Sequence, residues 1–217
     1  MKLLLFDFDG TLADTLPICI ASFQEAFLQV DGVEWSEEEI EDILGPPETE
    51  ILRTYTKHGD PEEAVECFYE TYASLHPKVT ADPAILEMLS ALREAGFFLG
   101  IITGKARRGL DYSLRQLNME GVVDWTIAGD ETERAKPDPE CVDRALQQFR
   151  TSKEETMILG DTDADIGAGQ NAGITACAVN WLPGFTPKPL TLTPDAVFRS
   201  PEELRFWLYR QENPLDG

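Results

Sequence analysis

Four short segments carry side chains that could act together on phosphorus: Asp7-Phe8-Asp9-Gly10-Thr11, Thr103-Gly104, Lys136-Pro137 and Gly160-Asp161-Thr162-Asp163-Ala164-Asp165. Asp7 and Asp9, with Asp161 and Asp165 from a distant segment, would crowd several like charges together. Such a cluster stays ionised only when cations share it. The donors are carboxylates with no His or Cys beside them, a set that suits Mg²⁺, a hard cation that takes carboxylates, waters and phosphate oxygens. Lys136 supplies a second positive charge. A carboxylate can attack phosphorus only where the phosphate's own charge is shielded. The Thr103 hydroxyl and the backbone N–H groups of Gly10 and Gly104 are the further candidates for that shielding. Asp9 is placed to protonate the leaving oxygen, and Thr11 to orient the loop.

These segments need a scaffold that gathers them. Lys2 to Phe6 is an apolar run that stops at Asp7 and reads as a buried strand. Phe97 to Thr103, Thr156 to Gly160 and Ile174 to Val179 are runs of the same kind, with Trp125 to Ala128 a weaker one. Each of the three stronger runs follows a helix-like stretch: Ala84 to Ala95, Pro139 to Phe149 and Asp165 to Ala172. Strand and helix alternating at this spacing predict an α/β fold, a doubly wound and mostly parallel sheet that binds ligands beyond its carboxyl ends. Residues 16 to 79 break the alternation, with helical periodicity in several pieces and no clear strand. There Ser36 and Glu39 form a capping-box pattern, and Gly45-Pro46-Pro47 interrupts the helices. Residues 182–194 read as a proline-rich surface loop, followed by a short strand at Ala196 to Phe198 and a helix from Pro201. The expected division is therefore 1–14 with 82–217 as the α/β core, and 15–81 as an inserted all-helical domain.

The chain has 217 residues, 18 Lys and Arg against 40 Asp and Glu, and a formal charge of −22. That balance argues against nucleic acid and against an anionic membrane surface, both of which require clustered cations. No apolar run reaches the roughly 18–20 residues of a membrane span, and the opening MKLLLFDFDG places aspartates where a signal peptide needs apolar residues, so a cytoplasmic protein is expected. Cys19, Cys67, Cys141 and Cys177 lie far apart and read as reduced thiols. No oligomeric state is legible.

DFDGTLADT, the hydroxyl of ITG, the lysine of KPDP and GDTDADI together resemble the four motifs of the haloacid dehalogenase superfamily, in order and over nearly the whole chain. The resemblance implies a Rossmann-like core with a mobile helical cap, and a Mg²⁺-dependent phosphatase acting on a small phosphorylated metabolite through an aspartyl-phosphate. It implies Asp7 as nucleophile, Asp9 as general acid and then base, and Thr103 and Lys136 as phosphate ligands. Mg²⁺ would be held by Asp7, the Asp9 carbonyl and Asp161, with Asp165 acting through a metal-bound water or by positioning Lys136. Asp163, between the two matched acids, is expected to face solvent. GPP, TGKAR and GQNAG are similar to the phosphoglycolate phosphatase and bacterial pyrophosphatase group. A sugar-phosphate mutase of the same superfamily, and a non-catalytic phosphate-binding module, are the alternatives. Pro46 either faces substrate or simply breaks a helix. Lys105, Arg107 and Arg108 either touch an anionic substrate or cap and solvate the next helix. Arg53 and Lys57 either reach down to a second negative group or balance an acidic surface.

Overall fold

The computed structural model describes residues 1–212. Its six strands are β1 (Leu3–Phe6), β2 (Phe98–Ile102), β3 (Trp125–Ile127), β4 (Thr156–Gly160), β5 (Thr175–Val179) and β6 (Ala196–Phe198). They form one sheet in the order β3-β2-β1-β4-β5-β6 with every pairing parallel. The four residues of β1 are buried on both faces, as a central parallel strand requires, and that is why its sequence is a continuous apolar run. The chain leaves β1 to build β2 and β3 on one side and returns to β4 on the other. The crevice for a ligand therefore opens beyond the carboxyl ends of β1 and β4, where Phe6 lies opposite Leu159.

The nine α-helices among the described residues are α1 (Leu16–Ala26), α2 (Glu37–Glu41), α3 (Glu48–Tyr55), α4 (Pro61–Leu75), α5 (Pro83–Glu94), α6 (Arg107–Gln116), α7 (Glu140–Phe149), α8 (Asp163–Ala172) and α9 (Pro201–Glu212). Alternation along the strands divides the core between them. Leu4, Phe6 and Leu159 pack with α5, α6 and α9 on one face, and Leu3, Leu5 and Ile158 with α7 and α8 on the other. Helices α1–α4 carry a third cluster, in which Phe23 and Phe68 meet with ring centroids 4.6 Å apart and Ile40 and Ile51 are buried. Burying each such side chain stabilises by about 1.5–3 kcal/mol.

Elements expected from sequence appear within one or two residues of their predicted bounds. Ser36 and Glu39 form the capping box. Helix α8 begins two residues earlier than its periodicity suggested, because the Thr162 hydroxyl caps it by accepting from the Asp165 amide. A π-helical turn, Phe27–Asp31, extends α1 and ends at Gly32 with φ +68°. The last residues of the expected core, 213–217, lie outside the described residues. No helix among the described residues is long and apolar enough to cross a membrane.

Candidate active site

Asp7 sits one residue beyond β1, held by its own N–H donating to the Leu159 carbonyl at 2.9 Å. Lys136, in the loop before α7, donates from Nζ to Asp7 Oδ1 at 2.8 Å, Asp165 Oδ1 at 2.5 Å and the Ile102 carbonyl at 3.1 Å. The other oxygen of Asp165 accepts from the Thr162 amide and hydroxyl, at 3.1 and 2.6 Å. Asp165 therefore fixes both the start of α8 and the lysine. The Thr11 hydroxyl donates to Asp161 Oδ1 at 2.8 Å, and the Trp181 indole N–H holds the Thr11 carbonyl at 2.7 Å. Trp181 thus also fixes the loop that carries the acids.

Asp7, Asp161 and Asp165 each offer a carboxylate oxygen within 4.8 Å of the others, and all three are buried. Burial pushes the Asp7 carboxyl up to about 7, with Lys136 opposing the rise. Burial, reinforced by the Asp7 charge, pushes Asp161 up to about 8. Burial alone would discharge Lys136, but Asp165 and Asp7 outweigh it and hold the ammonium charged. A buried cluster of hard oxygen donors short of positive charge fits a divalent cation of the Mg²⁺ kind. Gly10 makes room for it. At φ +81° a Cβ here would fall 2.6 Å from Asp161 Oδ2, so only glycine fits. The Gly10 N–H, expected to face phosphate, instead donates to the Ala13 carbonyl at 2.9 Å and closes the turn after Asp9.

The Asp9 side chain turns away from that cluster. Its carboxylate receives the Thr15 hydroxyl and the Lys105 ammonium, the latter at 3.2 and 3.3 Å. Lys105, whose side chain is 1% exposed, also pairs with Glu48 Oε1 at 3.3 Å and lies 4.6 Å from the Tyr72 ring centroid. The second Glu48 oxygen accepts from the Ala106 N–H at 2.6 Å, at the amino terminus of α6, where a carboxylate is favoured. Lys105 is thus neither a surface charge nor a free anion ligand, but the shared cation of a buried bridge from α3 to Asp9. Glu48 had no sequence signal of its own: an acid in the first turn of a helix reads as an ordinary terminus.

A cavity of about 650 Å³ opens over these groups, with Asp7, Asp9, Thr103, Lys105, Lys136 and Asp161 in its wall. Gly104 also lines it, packed so closely on the Gly45 carbonyl that a Cβ would come within 2.5 Å. Thr103 Oγ1 accepts from the Lys105 N–H at 3.2 Å. Pro46 reaches the wall, so the interruption between α2 and α3 does face the cavity. Arg53 and Lys57 do not reach it. Arg53 binds Glu62 through two hydrogen bonds of 2.6 and 3.0 Å, and Lys57 Nζ donates to the Thr54 carbonyl at 2.6 Å. Ile51 of α3 lines the cavity, and a residue two positions on projects from nearly the opposite side of a helix, which turns Arg53 outward. Arg107 and Arg108 pair with Glu131 and Glu66. Asp163 is half-buried rather than solvent-facing, and accepts from the amides of Thr191 and Leu192 at 2.9–3.0 Å, pinning the proline-rich loop beside the cavity.

Pyrophosphatase PpaX of Halalkalibacterium halodurans is 31% identical to this chain over 204 residues, 92% of this chain and 93% of that protein. CbbY of Rhodobacter sphaeroides, crystallised with phosphate, superposes with a TM-score of 0.80 at 24% identity, covering 94% of this chain and 96% of the other. A predicted phosphoglycolate phosphatase from Haemophilus somnus gives 0.76 at 19% identity, over 96% and 98% of the two chains. These two likenesses are of fold. The acids at the ends of β1 and β4, the threonine after β2 and the lysine before α7 fall inside residues 4–179, which match the model of the haloacid dehalogenase-like hydrolases, and the chain belongs to that family.

Proposed function

We propose that this phosphohydrolase cleaves a small phosphorylated metabolite with Asp7 as nucleophile, Asp9 as proton carrier and residues 15–81 as the cap. The observation that carries this reading is Asp7 in the wall of the cavity, bonded to Lys136 and grouped with Asp161 and Asp165. Mg²⁺ held by Asp7, Asp161 and the Asp9 carbonyl would supply charge neutralisation at the phosphoryl oxygens. An Asp7 oxygen forms a bond to phosphorus as the bond to the leaving oxygen breaks, and Asp9 delivers a proton to that oxygen. Asp9 then takes a proton from the water that attacks the aspartyl-phosphate, which releases phosphate and restores Asp7. Lys136 and the Thr103 hydroxyl bind the phosphoryl group, with the Gly104 backbone beside it. Lys105 keeps Asp9 oriented, and Asp165 keeps Lys136 in place. Thr11 aims Asp161. The insertion excludes water from the site during the first transfer.

All four cysteines are free thiols, which supports a reducing, cytoplasmic setting. The printed names of similar proteins make pyrophosphate and phosphoglycolate the reference substrates. The test is phosphate release from small phosphate esters and pyrophosphate, with Mg²⁺ or EDTA, using wild type and Asp7→Asn. Wild type should require Mg²⁺, and Asp7→Asn should lose activity by about 10⁴-fold or more while remaining folded. Full activity in Asp7→Asn would overturn the nucleophile.

A further inference from the structure

With the phosphoryl group at Asp7, the leaving group occupies the space walled by the insertion and by the proline-rich loop. From the insertion that wall takes Ile20, Phe23, Leu44 and Ile51, and from the loop Phe185 and Leu190. The charged groups that α2 and α3 add are Glu37, Glu41 and Glu48, and among the described lining residues the insertion adds no cation. The lining cations are Lys105, Lys136 and Lys188, and each is already paired. Lys136 is bound to Asp7 and Asp165, and Lys105 to Asp9 and Glu48. Lys188 reaches from the loop to Glu41 at 2.9 Å and lies 3.9 Å from Asp42. Arg53 and Lys57, the other cations carried by α3 and the turn after it, are held outside.

We infer that the leaving group is a small alcohol with hydrocarbon bulk and no anionic group, so that the substrate is its phosphate monoester. This rests on the phosphatase reading and narrows it. Hydrolysis breaks the bond between phosphorus and the alcohol oxygen, Asp9 gives that oxygen a proton, and water supplies the new oxygen on phosphate. A second phosphate, as in pyrophosphate, or a carboxylate, as in phosphoglycolate, would be desolvated against apolar side chains beside Glu37, with every lining lysine already committed to a carboxylate. That juxtaposition costs about 10- to 100-fold in selectivity.

The decisive pair of substrates is phosphoglycolate and its carboxamide, which match in shape and differ in charge, assayed beside pyrophosphate and p-nitrophenyl phosphate with Mg²⁺. The carboxamide should show the higher kcat/KM by about 10- to 100-fold, mostly through KM. In Glu41→Gln, which removes the nearer partner of the Lys188 ammonium and leaves only the longer contact with Asp42, the preference should shrink at least about threefold, because the anionic substrate gains a partner. Equal or better turnover of phosphoglycolate or pyrophosphate by wild type would overturn this inference and leave the phosphatase reading standing. No release from any of the four, p-nitrophenyl phosphate included, would overturn both.

Discussion

Replacing Lys105 by Met isolates the buried bridge between Glu48 of α3 and Asp9. The lysine holds Asp9 at 3.2 Å and Glu48 at 3.3 Å, with side chains 17% and 5% exposed. At an effective dielectric of about 20, each attraction is about 5 kcal/mol before desolvation is charged against it. Taking away the shared cation leaves two carboxylates facing each other out of water, and breaking a buried pair in this way costs about 3–5 kcal/mol. Against a total stability of about 5–15 kcal/mol, that is a large fraction. In urea, with m about 2–3 kcal/mol/M, the midpoint should fall by about 1–2 M at pH 7. Burial already pushes the Glu48 carboxyl up, and without Lys105 it rises further. A carboxyl with a raised folded-state pKa contributes most stability below its unfolded value and loses it as pH climbs through the folded one. The deficit of Lys105→Met should therefore grow from pH 5 to pH 8. Adding Glu48→Gln should recover more than about 1 kcal/mol, a coupling that a double-mutant cycle measures. A cost below about 1 kcal/mol, or additive single variants, would refute the bridge as an energetic unit.

Asp7 and Asp161, at about 7 and about 8 when folded, bind protons more tightly than in the unfolded chain, so the metal-free protein should lose stability as pH rises from about 4 to 8. Mg²⁺ replaces those protons, and the rise in Tm it produces should be larger at pH 8 than at pH 6 by differential scanning fluorimetry. Gly10→Ala combines φ +81° with a Cβ 2.6 Å from Asp161 Oδ2, and should cost about 1–3 kcal/mol in urea melts and about 100-fold in kcat by displacing that carboxylate. Arg53→Ala removes only an exposed pair with Glu62, and KM for any substrate turned over should stay within about twofold of wild type.

What the sequence made legible and what it hid differ in the range over which the physics acts. Strands β1 and β4 end at acids, and an apolar run that stops at Asp7 or at Gly160-Asp161 states locally both where it is buried and which end carries the polar site. The Ser36 capping box is equally local. The roles of the cations were not local. Lys105, Arg53 and Lys57 look alike on paper as basic residues near helix ends, yet Lys105 enters the interior because Glu48 waits there across a turn where Gly104 and Gly45 pack backbone to backbone. Arg53 is drawn outward because Glu62, at the start of α4, meets it in a two-pronged pair. The Gly10 amide was misread for the same reason. Its φ of +81° follows from the residue type, but its donation to Ala13 depends on how the next three residues turn. In a chain this acidic, whether a lysine can meet a substrate anion is decided by the carboxylates already within reach of it. Lys188 carries that point furthest: its sequence neighbours are prolines, and only the fold shows that Glu41 holds it at the cavity. The selectivity expected of the site follows from that pairing, and no tally of charged residues along the chain contains it.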